Sequence, residues 1–238
     1  KINLLLKVTG KRPDGYHEIV TLLARISLFD TIVLTFGQPG ISVQCPHPLV
    51  PEDGSNLACT AARAFFQALG VDDGVAIDID KVIPVAAGLG GGSSNAASVL
   101  LGLNEHYGFA LSEEKLKDVA AGIGADVPFF LLNRPCIVRG IGNILEPIEK
   151  WPKFWYVIVK PPLDVSTAWV YGNLKLKLTK GEYQYIVNWL RKGCFEIRHI
   201  LENDLETVTA SHFPVIATIK RRLLDVGAEG ALMSGSGP

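Results

Sequence analysis

Residues 84–95 read Pro84-Val85-Ala86-Ala87-Gly88-Leu89-Gly90-Gly91-Gly92-Ser93-Ser94-Asn95. Four glycines between 88 and 92, followed by two serines, let backbone N–H groups approach a ligand closely. A helix starting there adds unpaired N–H groups and the positive end of its dipole. Together they form an anion cradle suited to a triphosphate, with Ser93 and Ser94 as hydroxyl donors or magnesium ligands. A ligand-free strand–helix turn has no use for so many glycines. No Gly-Lys-[Ser/Thr] ends the loop, so it is not a Walker A motif. Nor is it the dinucleotide fingerprint, because the third glycine counted from Gly88 falls on Ser93.

Three other segments carry chemistry. Asp126 stands at a glycine-hinged helix end in Gly122-Ile-Gly124-Ala-Asp126-Val-Pro128, where a helix N-cap is the plain reading of the segment alone. Lys1 and Asn3 project from one face of a strand, and Tyr16 and His17 follow the next turn. Taken alone, Lys1 reads as a solvated strand-edge charge and His17 as a satisfied polar residue. The last segment, Ala228 to Gly237, is again strand-then-glycine, a possible second wall to a phosphate pocket.

The elements that must position these groups follow from periodicity. Ile2, Leu4, Leu6 and Val8 alternate with Lys1, Asn3, Leu5 and Lys7, which predicts a strand. Lys11-Arg-Pro13-Asp-Gly15 has turn chemistry, and Tyr16–Ala24 returns as a strand. Further strands are expected at Thr31–Phe36, Ile41–Cys45, Val75–Asp80, Phe154–Lys160 and Ala231–Met233. Ser55 is the expected cap of a helix to about Leu69. Ser93 or Ser94 caps an Ala-rich helix from Asn95 to about Asn104, and Ser112 caps a third. Pro128 permits a short helix from near Asp126. Helices are also expected at about Thr167–Leu174, Gly181–Lys192, Asp204–Ser211 and Pro214–Val226. A change of texture at Trp151-Pro152 suggests two domains, 1–150 and 151–238.

Composition narrows the class. The 238 residues carry 23 Lys+Arg against 24 Asp+Glu, and 48% are hydrophobic. That excludes an intrinsically disordered chain and argues against nucleic acid or an anionic membrane as the main partner. Cys45, Cys59, Cys136 and Cys194 form no C-x-x-C pair and read as free intracellular thiols. No run of 18 apolar residues and no signal peptide are visible. Both ends read as trimmed, since the chain lacks an initial Met and stops within a glycine-rich stretch.

These motifs, in this order, resemble the GHMP small-molecule kinases, which share an N-terminal strand Lys, a central P-x-x-x-G-L-G-x-x-S-S loop and a C-terminal glycine loop. Gly10-Lys-Arg-Pro-Asp-Gly-Tyr16-His17 further resembles the branch that phosphorylates a cytidine diphosphate sugar alcohol in non-mevalonate isoprenoid synthesis. The resemblance implies a two-domain α/β (α+β) fold with the active site in the interdomain cleft, and ATP and Mg²⁺ as cofactors. Lys1 and Asp126 match the catalytic pair, and Pro84 to Ser94 the ATP phosphate loop. Asn56 and Lys81 would lie by the adenine. Asn3, Tyr16, His17, Thr167 and Tyr171 match substrate contacts, with Tyr171 stacking on the cytosine. Ala86-Ala87 departs from the family, whose members often carry more glycine there, and a final strand of the second domain is expected to be missing. The expected setting is a bacterial cytoplasm, or a plastid stroma if a transit peptide was removed. The competing expectations are a homoserine or mevalonate kinase, which would not require the Tyr16-His17 segment, and a non-catalytic nucleotide-binding protein, which would not require Lys1 with Asp126.

Overall fold

The computed structural model describes residues 1–175, 184–193 and 195–237. Cys194 and the start of the helix expected at Gly181 lie outside them. In chain order the elements are β1 (Ile2–Lys11), β2 (His17–Ala24), β3 (Thr31–Phe36), β4 (Ile41–Gln44), α1 (Leu57–Leu69) and β5 (Val75–Asp80). Then come α2 (Gly91–His106), α3 (Glu113–Ile123), α4 (Val127–Leu132), β6 (Cys136–Gly140), β7 (Ile144–Pro147) and α5 (Thr167–Asn173). The remainder are α6 (Gln184–Arg191), α7 (Ile197–Ile200), β8 (Glu202–Asn203), α8 (Glu206–His212) and α9 (Val215–Asp225).

The chain forms two compact units. One comprises Lys1–Ile26, Ala86–Leu89 and Arg134–Pro238, the other Ser27–Val85 and Gly90–Asn133. The break expected near 150 therefore falls inside the first unit. The reason is strand pairing: β1 and β2 complete a sheet of order β7-β6-β2-β1-β8. Residues at the start of the chain thus share a sheet with residues beyond 134.

In that first unit β1 pairs antiparallel with β2 and parallel with β8. Such a central strand is covered on both faces, so Ile2 through Leu6 are all buried. The expected two-residue alternation is not seen in exposure. A register irregularity between Asn3 and Leu5 locally re-aims the strand. Leu6, Val8, Val170, Leu205, Ile216 and Met233 pack together beneath it.

The second unit is a β3-β5-β4 sheet with the helices α1 to α4. Here alternation and burial agree: Val75, Ile77 and Ile79 are buried while Asp78 and Asp80 are exposed.

Several local expectations need correction. Asn56, not Ser55, caps α1, its side chain accepting from Ala58 N at 2.9 Å, while Ser55 bonds Asp53. Helix α2 begins at Gly91 with Gly90 as its cap residue, so Ser93 and Ser94 sit inside its first turn and do not cap it. Neither Phe154–Lys160 nor Ala231–Met233 forms a strand among the described residues. Their composition favours extension, but a ladder requires a paired neighbour. The hairpin β6–β7, the two-residue β8 and α7 were not anticipated. Ser112 caps α3 as expected, accepting from Lys115 N at 3.3 Å.

Candidate functional site

In the first unit the site grows from the start of β1. Lys1 is only 8% exposed and Asn3 6%. Period-two spacing puts both on one face, and Lys1 Nζ donates to Asn3 Oδ1 at 2.9 Å. The same ammonium donates to the Gly88 carbonyl at 3.1 Å, and the Lys1 backbone nitrogen donates to Leu89 O at 3.0 Å. Strand Lys and glycine loop, 87 residues apart in sequence, are in direct contact.

The C-terminal glycine loop joins them. Asn3 N donates to Ser234 Oγ at 3.0 Å. Gly88 has φ +66, and a Cβ there would stand 2.7 Å from Ser234 O, so only glycine fits on both counts. The loop is held from behind by Asn203, whose Nδ2 donates to Met233 O at 2.7 Å and Gly235 O at 2.8 Å. Thr209 Oγ1 donates to Ser236 O, and the hydroxyls of Ser236 and Thr167 lie 2.7 Å apart.

Thr167 and Tyr171 are one helical turn apart on α5, whose first turn is capped by Ser166. Tyr171 stacks on His17 with ring centroids 4.9 Å apart and an interplanar angle of 27°. Burial, and secondarily the charge of Lys11, hold the His17 pKa below its ordinary value, which favours the neutral imidazole. Tyr16, next to it, is 63% exposed.

In the second unit, Gly90 with φ +69 turns the chain into α2. Ser94 N closes the first turn on Gly90 O at 2.9 Å. The N–H groups of Gly91, Gly92 and Ser93 are therefore those without an intrahelical acceptor. Lys81 lies beside this turn: a Cβ on Gly91 would come within 2.9 Å of its Nζ. That ammonium is paired with Asp30 Oδ2 at 2.7 Å and also donates to Ile83 O. Asp30 Oδ1 accepts from Val82 N and Ile83 N, so one carboxylate fixes the segment that leads to Pro84. Asn56 is likewise engaged locally, capping α1 and donating to Pro51 O at 2.8 Å. Asp126 occupies the N-cap position of α4 but makes no side-chain capping bond, so capping does not account for its presence. Sequence reasoning missed Asp30, Thr21, Asn203 and Thr209, none of which lies in a motif.

The first unit also holds a cavity of about 700 Å³ lined by apolar side chains including Ile2, Leu4, Trp155, Leu223 and Leu232. Two of the cations that line it are engaged, Lys160 with Pro161 O and Leu163 O, and Lys220 with Glu206.

Among the described residues no group of three or more His, Cys, Asp or Glu could hold a metal ion. Magnesium that travels with a triphosphate needs only one or two protein oxygens. The Ser93 and Ser94 hydroxyls on the first turn of α2 are oxygens of that kind.

Lys1, just before β1, rests on a glycine-loop carbonyl in the first unit, and α2 in the second unit is started by a glycine. Residues 56–134 match the GHMP kinases N terminal domain and residues 186–238 the GHMP kinases C terminal domain. The chain belongs to the GHMP kinase family, whose membership implies the use of ATP. Within it, the chain is 48% identical over 238 residues to a 4-diphosphocytidyl-2-C-methyl-D-erythritol kinase of Syntrophotalea carbinolica, covering 100% of this chain and 84% of that one. It is 46% identical to the enzyme of the same name from Geobacter sp. strain M21, with the same coverage. A crystal structure of 4-(cytidine 5'-diphospho)-2C-methyl-D-erythritol kinase superposes with a TM-score of 0.79 at 35% identity, covering 100% of this chain and 85% of that one. Homoserine kinase from Cytophaga hutchinsonii shares the fold, with a TM-score of 0.67 at 19% identity, covering 99% and 78%. No described helix is long and apolar enough to cross a membrane.

Proposed function

We propose that the protein transfers the γ-phosphoryl group of ATP to the 2-hydroxyl of 4-diphosphocytidyl-2-C-methyl-D-erythritol, in a cytoplasmic setting. The observation that carries this reading is identity of 44–48% along the whole chain with enzymes of that name. The stacked His17–Tyr171 pair supports it, because flat ring faces suit a cytosine. Base–aromatic stacking contributes ~1–3 kcal/mol per base in comparable systems.

Phosphoryl transfer has a loose transition state, so catalysis is mainly positioning and charge stabilisation. In the proposed step Asp126 accepts a hydrogen bond from the 2-hydroxyl, orients it and takes its proton late. The hydroxyl oxygen forms a bond to the γ-phosphorus as the bond to the leaving ADP oxygen breaks. Lys1 favours the charge developing on the transferred group. The phosphate loop, Pro84 to Ser94, offers backbone N–H groups to the phosphates, with Asn56 and Lys81 toward the adenine. Asn3, Tyr16, His17, Thr167 and Tyr171 orient the cytidine substrate. Ser93 or Ser94 would offer a hydroxyl to magnesium, which when bound would neutralise charge on the triphosphate.

Incubation with ATP and 4-diphosphocytidyl-2-C-methyl-D-erythritol, followed by phosphorus NMR, tests the reading. A new phosphomonoester resonance is expected with this alcohol and not with homoserine or mevalonate. ADP release with either of those instead would overturn the substrate assignment. Asp126→Ala is expected to lower kcat strongly with little change in ATP affinity, and a loss under about tenfold, ~1.4 kcal/mol, would remove Asp126 as base.

A further inference from the structure

We propose that Thr21 is a positioning residue for Lys1, acting by dictating which end of the Asn3 amide faces the ammonium. The inference rests on the reading of Lys1 as a group that acts in phosphoryl transfer.

An ammonium can only donate hydrogen bonds, so Asn3 must present its oxygen to Lys1. The two ends of an amide have nearly the same shape, and rotation by half a turn would set Nδ2 against the cation instead. The opposite end of Asn3 decides between them. Asn3 Nδ2 donates to Thr21 Oγ1 at 2.8 Å, and Thr21 Oγ1 donates to Leu5 O at 2.6 Å. A backbone carbonyl only accepts, and a hydroxyl has a single proton. With that proton committed to Leu5, Thr21 can only accept from Asn3. The polarity of the whole chain of bonds is thereby set: Thr21 to Leu5 O, Asn3 to Thr21, and Lys1 to Asn3 and Gly88 O. Ser234 Oγ, 3.4 Å from Asn3 Oδ1, is a second donor to the same oxygen.

The surroundings leave little scope for another arrangement. Thr21 is 3% exposed, and Asn3 and Lys1 are nearly as buried. The bonds cross the β1–β2 pair where the register is irregular between Asn3 and Leu5. Irregularities of this type re-aim side chains.

Thr21→Val tests the proposal, since it removes the hydroxyl while keeping a β-branched side chain of similar size. It leaves Asn3 Nδ2 and Leu5 O without their partner and frees the amide to rotate. The expected result is a fall in kcat of ~10–100-fold, the scale of small misplacements in active sites, with KM for ATP changed by less than about threefold. Thr21→Ser restores the hydroxyl and is expected to recover kcat to within about threefold of the parent. If Thr21→Val fails to fold, Thr21→Cys, whose thiol bonds only weakly, takes its place with the same expected split. In an Asn3→Ala background Thr21→Val is expected to cause no further loss, because Thr21 acts only through Asn3. An additive loss there, or a Thr21→Val kcat no lower than that of Thr21→Ser, overturns the proposal. Lys1→Met separates the two readings. Parental turnover in Lys1→Met would overturn the role of Lys1 and the inference with it, whereas an inactive Lys1→Met beside an unaffected Thr21→Val would overturn the inference alone.

Discussion

Two substitutions in one loop should change stability in opposite directions. Gly88 and Ala86 both have left-handed backbone, with φ +66 and +55. An L-residue in that region costs roughly 1–2 kcal/mol, and replacing Gly with Ala regains ~0.4–1 kcal/mol through the less flexible unfolded chain. For Gly88→Ala there is a further cost, because the new Cβ would stand 2.7 Å from Ser234 O. That neighbour is backbone, fixed through Asn203 and Asn3, and cannot swing aside. Overpacking of this kind costs ~1–3 kcal/mol, for a net loss of about 3 kcal/mol. For a chain of this size that is a drop in Tm of roughly 6–12 °C. Ala86 is exposed, so Ala86→Gly only relieves the backbone cost and should gain up to ~1 kcal/mol, about 2–4 °C. Differential scanning calorimetry of both variants beside the parent reads the two signs directly. A Gly88→Ala melt within about 2 °C of the parent, or an Ala86→Gly melt below it, would refute the geometry of the loop.

Three further outcomes follow from buried or partly buried polar groups. Asp30→Ala strands the Lys81 ammonium, whose side chain is only 6% exposed, and should cost about 3–5 kcal/mol in urea unfolding; Asp30→Ala with Lys81→Met should recover part of it. Asn203→Asp keeps the shape but turns an acceptor toward Met233 O and Gly235 O, and should lower the unfolding free energy by ~2–4 kcal/mol, read as a lower urea midpoint with m unchanged. The folded-state pKa of His17 lies below 6.5, so the unfolded chain binds the proton more readily. The stability linked to this group is complete above 6.5 and is lost as pH falls through that value toward the folded pKa. The Tm advantage of the parent over His17→Gln should therefore shrink between pH 7.5 and about 5.5, and a constant difference would contradict a neutral, partly buried imidazole.

What the sequence disclosed is what local rules control. The expected bounds of β3 and β5 agree with the structure to the residue. Period two placed Lys1 beside Asn3, and glycine density marked the loops that meet at Gly88 and Ser234. Capping rules succeeded at Ser112 and failed at α2, because Gly90 in left-handed backbone begins that helix without a side-chain cap. The rest was illegible for a physical reason. Thr21 acts on a residue 18 positions away, Asn203 on one 30 away, and Asp30 on one 51 away. No periodicity connects such pairs. The compact units do not part at 150 for the same reason, since it is long-range pairing that ties β1 and β2 to β6 and β8.

Those long-range bonds also bear on how a glycine loop acquires polarity. A loop meant to present N–H groups to an anion must direct its carbonyls elsewhere, and carbonyls facing a triphosphate would repel it. Lys1 supplies the elsewhere: its ammonium takes Gly88 O and its backbone nitrogen takes Leu89 O. In a planar trans peptide the C=O and the following N–H point in opposite directions. The N–H groups of Leu89 and Gly90 are therefore turned away from Lys1. On the proposed reading, the cation that acts on the transferred phosphoryl group would also hold two peptide planes of the loop in the orientation that an anion requires. This joint role makes Lys1 a poor candidate for exchange with Arg, whose rigid planar fork cannot reproduce a compact charge shared between Asn3 and one carbonyl.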